Sequence, residues 1–282
     1  MLLAIDIGNT AIKFGLFEAE QLTSKFSIPT KRDAAVDDLR RAIGERLRSG
    51  AEAAIVCSVV PDINIPMTEF LREVTTSEPT FVNNSFDFGL IVNYEPLQSL
   101  GTDRLVNAFG AVEKYGAPCI VCSLGTATTI DVVNKDREFL GGIIAPGINA
   151  MAEALHLKAP RLPDVKIERP ETTIGNSTME SIRSGIYYGY VGMVEGLITR
   201  IRTEFEISRI VATGGNAVIA SDKFGGIMTV DPDLILNGLW LISTKTSRIR
   251  GPNRVLEFVT VSQPAVAKNF GFLLAFVACS NA

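Results

Sequence analysis

The chain has 282 residues, 46% hydrophobic and 21% charged, the balance of a folded protein rather than a disordered one. Lys and Arg number 27 against 31 Asp and Glu, and a net charge of −4 excludes the basic footprint of a nucleic-acid binder. No stretch approaches the roughly 20 apolar residues of a membrane span, and the opening Met1-Leu2-Leu3-Ala4-Ile5-Asp6 lacks the regions of a secretory signal. A cytoplasmic protein with no nucleic-acid and no membrane partner is expected. Four cysteines, at 57, 119, 122 and 279, do not make a disulfide framework in a chain of this size. Cys119 and Cys122 sit three apart in an apolar strand-like run, so they face opposite ways and share no metal.

Taken in order, residues 2–6 are a short apolar run closed by Asp-Ile-Gly-Asn-Thr, and 12–17 resume a β pattern, which predicts a hairpin. Val36, Leu39, Ile43 and Leu47 stand at helical spacing within 33–48, with Gly50 beyond as a cap. Residues 53–60 are continuously apolar, as in a strand buried on both faces. Helices are predicted around 65–72 and after Gly101, the latter marked by Leu105, Ala108, Phe109 and Val112. At Ala117 the cycle restarts: strand 118–123, a glycine turn, strand 128–133, and a third strand near 138–145.

The helical stretch from about 179 to 205 carries Gly185, Gly189, Gly192 and Gly196 along one face. Each glycine costs a helix about 1 kcal/mol against alanine. Close approach of another backbone, inside the chain or across a dimer, would offset that. Residues 209–218 read as strand, double-glycine turn and helix start. The longest apolar run, 270–279, suits a buried strand or helix. The chain therefore reads as α/β, with two related halves at roughly 1–115 and 116–245 around a cleft.

Aligned on their glycines, "IDIGNTAIKFGL" and "CSLGTATTIDVV" repeat one strand–turn–strand signal, with Ser123 standing where the first copy has Asp6. The turns at Gly8-Asn9-Thr10, Gly125-Thr126-Ala127-Thr128 and Gly214-Gly215-Asn216 bring backbone N–H groups close to an oxyanion. Hydroxyls of Thr10, Thr126, Thr128 and Thr129 add donors, and Lys13 adds a point charge. Neither a Walker loop nor a dinucleotide-binding glycine motif is present. The only histidine, His156, leaves no room for histidine-rich metal ligation. Asp6, ending a buried strand, is suited to orient Mg2+ directly or through water. Asp103 in "LGTDRL" serves either as a helix cap or as an acid–base group, and Arg104 beside it is a fork for a carboxylate or phosphate.

The motifs "DIGNTAIKFGLF", "LGTDRLVNA", "GTATTIDVV", "LGGIIAPGI", "RLPDV", "IGNSTMESIRSGIYYG" and "ATGGNA" resemble the type III pantothenate kinases, over residues 1 to about 242. That family belongs with the acetate and sugar kinases, heat-shock chaperones and actin. The resemblance implies two actin-like (ribonuclease H-like) halves around a nucleotide-binding cleft. It further implies a homodimer that phosphorylates pantothenate with ATP, the first step of coenzyme A synthesis. By position, Asp6, Ile7, Gly8, Asn9, Thr10, Ala11, Ile12 and Lys13 would hold ATP phosphates, joined by Thr126. Tyr94, Gly101, Thr102, Asp103 and Arg104 would contact pantothenate, with Thr178 closing that site and Arg104 taking the substrate carboxylate. Asp103 would be the general base.

Two departures stand out. The family has aspartate at the position of Ser123, where it binds an activating K+ or NH4+; a hydroxyl is a neutral ligand, so affinity for the monovalent cation should fall. Asp131, eight residues on and across the turn, is not expected to replace it. Residues 246–282 form a tail outside the resemblance. These departures leave a second reading, a non-catalytic nucleotide-binding or regulatory relative.

Overall fold

The computed structural model describes residues 1–221 and 228–250. The first sheet contains β1 (Leu2–Ile7), β2 (Ala11–Glu18), β3 (Gln21–Pro29), β4 (Ala53–Ser58) and β5 (Thr80–Val82), in the order β3-β2-β1-β4-β5. Two helices, α1 (Val36–Ile43) and α2 (Asn64–Val74), cover its outer face. A short edge strand, β6 (Ile91–Val92), and a central helix, α3 (Thr102–Tyr115), lead into the second sheet. There β7 (Cys119–Leu124), β8 (Ala127–Val133) and β9 (Glu138–Pro146) form a meander, followed by α4 (Ile148–Lys158) and α5 (Thr178–Phe205). The chain closes with β10 (Ile210–Thr213), α6 (Ala217–Ser221), β11 (Met228–Val230) and α7 (Leu234–Arg250).

The second sheet runs β11-β10-β7-β8-β9-β6. Without β6 it repeats the strand order of the first, so the sequence echo is a structural repeat. In both, an antiparallel hairpin pair is extended by parallel strands. Asp6 pairs with Lys13 on one side and Cys57 on the other; at the matching place Ser123 pairs with Thr129 and Thr213.

Three cores explain the sequence pattern. Ala4, Ile55 and Cys57 from the first sheet and Cys119, Val121 and Val211 from the second face a central layer made by α3 and α7. Ile120, Cys122 and Ile130 point the other way, under α5. Cys119 and Cys122 thus lie on opposite faces, as alternation requires. The strands are apolar on both faces because both are covered. Residues Arg104 to Val112 are all buried, which a helix between two sheets demands.

Several elements differ from expectation. The helix placed at 33–48 is shorter: Asp38 Oδ2 accepts from Ala35 N at 3.0 Å and sets its start, and it breaks at Gly44 into a 3-10 turn, Glu45–Leu47. Gly50 does take a left-handed φ of +70°. β3, β5, β6, α4, β11 and α7 carry weak or ambiguous sequence patterns and lie outside the predicted elements. Among the described residues the glycine face of α5 does not meet a core: a Cβ built at Gly185, Gly189, Gly192 or Gly196 meets no atom within 4 Å. The tail beyond residue 250, with the run 270–279, lies outside the described residues.

At the centre, α3 and α7 approach backbone to backbone through Gly110 and Gly238. A Cβ at Gly238 would stand 2.7 Å from the Val106 carbonyl oxygen and 3.0 Å from its Cγ1. Neither helix can retreat, since each is pressed on a sheet. Gly238→Ala is expected to cost about 1–3 kcal/mol by overpacking, measured by urea denaturation; an unchanged midpoint would show that this contact has slack.

Candidate active site

The three glycine turns converge at the carboxyl ends of β1, β7 and β10. The first is closed by Gly8 N to Ala11 O at 3.1 Å, and Thr30 braces it by donating from Oγ1 to Gly8 O at 2.6 Å. In the second, Gly125 N donates to Ala127 O at 3.0 Å and Gly147 N to Thr126 O at 3.1 Å. The hydroxyls of Thr10 and Thr126 meet at 2.7 Å, joining the two turns tip to tip. Gly214, at φ +92°, brings the third turn against β7; a Cβ there would lie 2.6 Å from the Leu124 carbonyl oxygen, and Asn216 N donates to that oxygen at 2.9 Å. Ile7 and Ile12 bury their side chains in the outer core, so they offer the site backbone groups only, beside half-buried Gly8 and Ala11 and exposed Asn9.

Behind the turns lies a charge cluster. Asp6 is buried and accepts from Lys13 Nζ at 3.2 Å. Burial pushes its carboxyl above the usual range; Lys13 pulls it back, and the charge of Asp103 adds to the rise. Asp103, half-buried at the first turn of α3, is raised chiefly by desolvation, against the backbone N–H groups of the helix start, Arg104 and Lys13. Asp103 is therefore both a helix-terminus carboxylate and a group near enough to Asp6 and Lys13 to feel their charges. Gly101 permits this: a Cβ there would sit 2.5 Å from Asp103 Oδ1. The hydroxyl of Thr102 goes to Asn84 Oδ1 at 2.6 Å, and the Asn84 amide ties down the carbonyls of Leu97 and Leu100. Thr102 can thus offer substrate little beyond its backbone.

Arg104 is not the open fork that the sequence suggests. Its Nε and Nη2 donate to Asp131 Oδ1 at 3.0 and 2.5 Å, with both residues buried. Tyr94 and Phe139 flank the guanidinium, each ring centre 5.7 Å away. Burial pushes Asp131 up to about 6 despite Arg104, with Asp103 adding to the rise. Asp131 and Phe139 were missed by sequence reasoning; a carboxylate inside the apolar run "TTIDVV" was the signal available. Thr128, expected as a phosphate donor, instead bonds Tyr190 at 2.9 Å in the core beneath the turn. Thr129 is half-buried and faces Asp131. His156, half-buried on α4, meets the Leu162 carbonyl through Nδ1 at 3.0 Å.

Thr178 stands apart. It opens α5 behind the Ser177 cap and lines an open cavity of about 760 Å³ with Asn176, Ser181, Gly185, Leu155 and Leu162. None of residues 6–13, 94, 101–104 or 126 lines that cavity. Among the described residues no group of three His, Cys, Asp or Glu is arranged for a metal, and no helix is long and apolar enough to cross a membrane. Asp6, a buried carboxylate beside the first glycine turn, nevertheless fits Mg2+, which takes one or two protein carboxylates and the oxygens of a phosphate substrate. At Ser123 the paired residues are Thr129 and Thr213, and Asp131 is engaged with Arg104. That donor set is made of neutral hydroxyl oxygens.

Paired sheets of one topology, with glycine turns meeting over buried carboxylates, define the actin-like class of phosphotransferase folds. A Campylobacter jejuni structure described as a putative Baf family transcriptional activator matches with a TM-score of 0.56 at 20% identity, over 87% of this chain and 99% of that one. The activator of 2-hydroxyisocaproyl-CoA dehydratase from Clostridium difficile, with ADPNP bound, matches at 0.53 and 13% identity, over 90% and 99%. These likenesses concern the fold. The family model for type III pantothenate kinase matches residues 2–200. Type III pantothenate kinases of Acidiphilium cryptum and Paramagnetospirillum magneticum are 39% and 40% identical, over 91% and 89% of this chain and 97% and 100% of their own lengths. The chain belongs to the type III pantothenate kinase family.

Because Asp6, Asp103 and Asp131 are all raised, the site gains its full negative charge only as pH climbs past the ordinary carboxylate range. A base must be deprotonated to act. The acid limb of kcat/KM set by a carboxylate at position 103 is therefore expected above the ordinary value of 3.8, with activity gained as pH rises through it. An acid limb at or below 3.8 in the pH–rate profile would contradict this.

Proposed function

We infer that the chain transfers the γ-phosphoryl group of ATP to the primary hydroxyl of pantothenate, giving 4′-phosphopantothenate and ADP, the first step of coenzyme A biosynthesis. Asp103 carries the inference: its carboxylate stands on the first turn of α3 between the two sheets, within the electrostatic reach of Asp6 and Lys13. The 6–13 turn and Thr126 hold the phosphates through backbone N–H groups, hydroxyls and Lys13. The pantothenate hydroxyl approaches the γ-phosphorus in line. Asp103 takes its proton as the new O–P bond forms, and the electrons of the breaking bond leave with ADP. Positioning and charge neutralisation supply most of the rate. Mg2+, held at Asp6, would neutralise phosphate charge.

Tyr94, Gly101, Thr102 and Arg104 form the pantothenate side. The two repeats, taken as 1–115 and 116–245, wall the cleft. We read the open glycine face of α5 as the contact with a second copy, which would bring Thr178 to its partner's site. Ile174 and Met179, 83% and 48% exposed, bracket Thr178 and favour a covered surface there. The reaction is assigned to the cytoplasm. A non-catalytic relative is not favoured, since Asp6, Lys13 and Asp103 are kept in one constellation. At Ser123 the neutral donors favour weak dependence on K+ or NH4+.

Pantothenate-dependent ADP release is expected from the purified chain, and Asp103→Asn should lower kcat by about 10²–10⁴-fold with unchanged thermal stability. No ADP above background with pantothenate would end this reading. Ser123→Asp should steepen the response to K+ or NH4+, measured as initial rate against salt concentration. A response already saturable in the parent chain would argue that hydroxyls suffice.

A further inference from the structure

Arg104 and Asp131 form the most deeply buried ion pair among the described residues, with side chains 6% and 2% exposed. Such a pair is costly: desolvation offsets much of its attraction, and apolar residues would serve packing better. Its location gives it another use. Arg104 follows Asp103 on the first turn of α3, and Asp131 lies on the cleft-side face of β8, close enough for Asp103 to influence its titration. An arginine has five N–H donors. Asp131 engages Nε and Nη2, and the rings of Tyr94 and Phe139 restrict the guanidinium plane. Tyr94 is a further side-chain hydrogen-bond partner of the guanidinium, which leaves two of the five N–H donors for another acceptor.

We propose that Asp131 is a positioning residue for substrate recognition, holding Arg104 so that its remaining N–H groups meet the carboxylate of the acceptor. Phe139 assists by fixing the plane. This rests on the pantothenate reading above. Four elements set one donor's direction: α3 carries it, β8 grips it, β9 supplies Phe139 and the segment after β6 supplies Tyr94. The substrate carboxylate then completes the shell of a cation that Asp131 neutralises from behind. Without Asp131 the guanidinium would be a buried charge lacking its carboxylate partner and would lose its fixed direction.

The test uses the full chain and two acceptors, pantothenate and the alcohol in which its carboxylate is replaced by CH2OH. Asp131→Asn should lower kcat/KM for pantothenate by about 10–100-fold, the worth of a misdirected charge-assisted hydrogen bond. The loss should appear in KM for pantothenate. The KM for ATP and kcat/KM for the alcohol should stay within about twofold, so preference for the carboxylate collapses. Phe139→Leu removes a ring without uncovering a charge and should move the same ratio the same way by less, which keeps the test valid if Asp131→Asn fails to fold. Equal losses with both acceptors would reduce the pair to a structural role and overturn the proposal. A parent enzyme inactive toward pantothenate would instead overturn the functional reading, and this assignment with it.

Discussion

The first turn of α3 is caught between two sheets, and the chemistry depends on that confinement. One residue of the turn, Asp103, looks toward Asp6 and Lys13 of the first sheet; the next, Arg104, reaches into the second and binds Asp131. Adjacent residues on a helix diverge by about 100°, so one short segment serves both walls of a cleft. Gly101 lets the carboxylate fold back over the helix start, and the Asn84–Thr102 bond fixes the preceding loop. Gly110 and Gly238 seat the same helix against α7 further along.

The repeat explains how the cleft arises, and its broken symmetry explains how the halves divide the work. Both copies end a hairpin in a glycine turn, and the tips touch through Thr10 and Thr126. The first copy keeps charge behind its turn, as Asp6 and Lys13. The second has Ser123 with Thr129 and Thr213, and its charge sits one step away in the Arg104–Asp131 pair. The turns thereby offer dipoles and one cation, while the buried guanidinium lies on the side of the second sheet.

Three carboxylates, Asp6, Asp103 and Asp131, share this small volume with Lys13 and Arg104. Each carboxylate is raised above its ordinary range by burial, and two of them are raised further by Asp103. Crowding like charges costs stability, as functional sites commonly do. Here the crowding leaves Asp103 a carboxylate whose proton affinity exceeds that of a surface aspartate.

The hairpins, the buried strands and the long α5 were readable from the chain because local rules govern them: period-two alternation, glycine turns and helical spacing act over a few residues. The same holds for Asp6, Lys13 and Asp103 as candidates, since charged groups closing apolar runs beside glycine are visible without a fold. Tertiary structure alone decided their partners. That Arg104 is gripped by Asp131, that Thr128 turns into the core to Tyr190, and that the glycines of α5 face outward all depend on which faces pack together. Such contacts join residues far apart along the chain, and spacing carries no information about them. Sequence determined which groups were available; packing determined which remained free to meet a substrate, because burial forces polar side chains to pair with whatever the opposing layer presents.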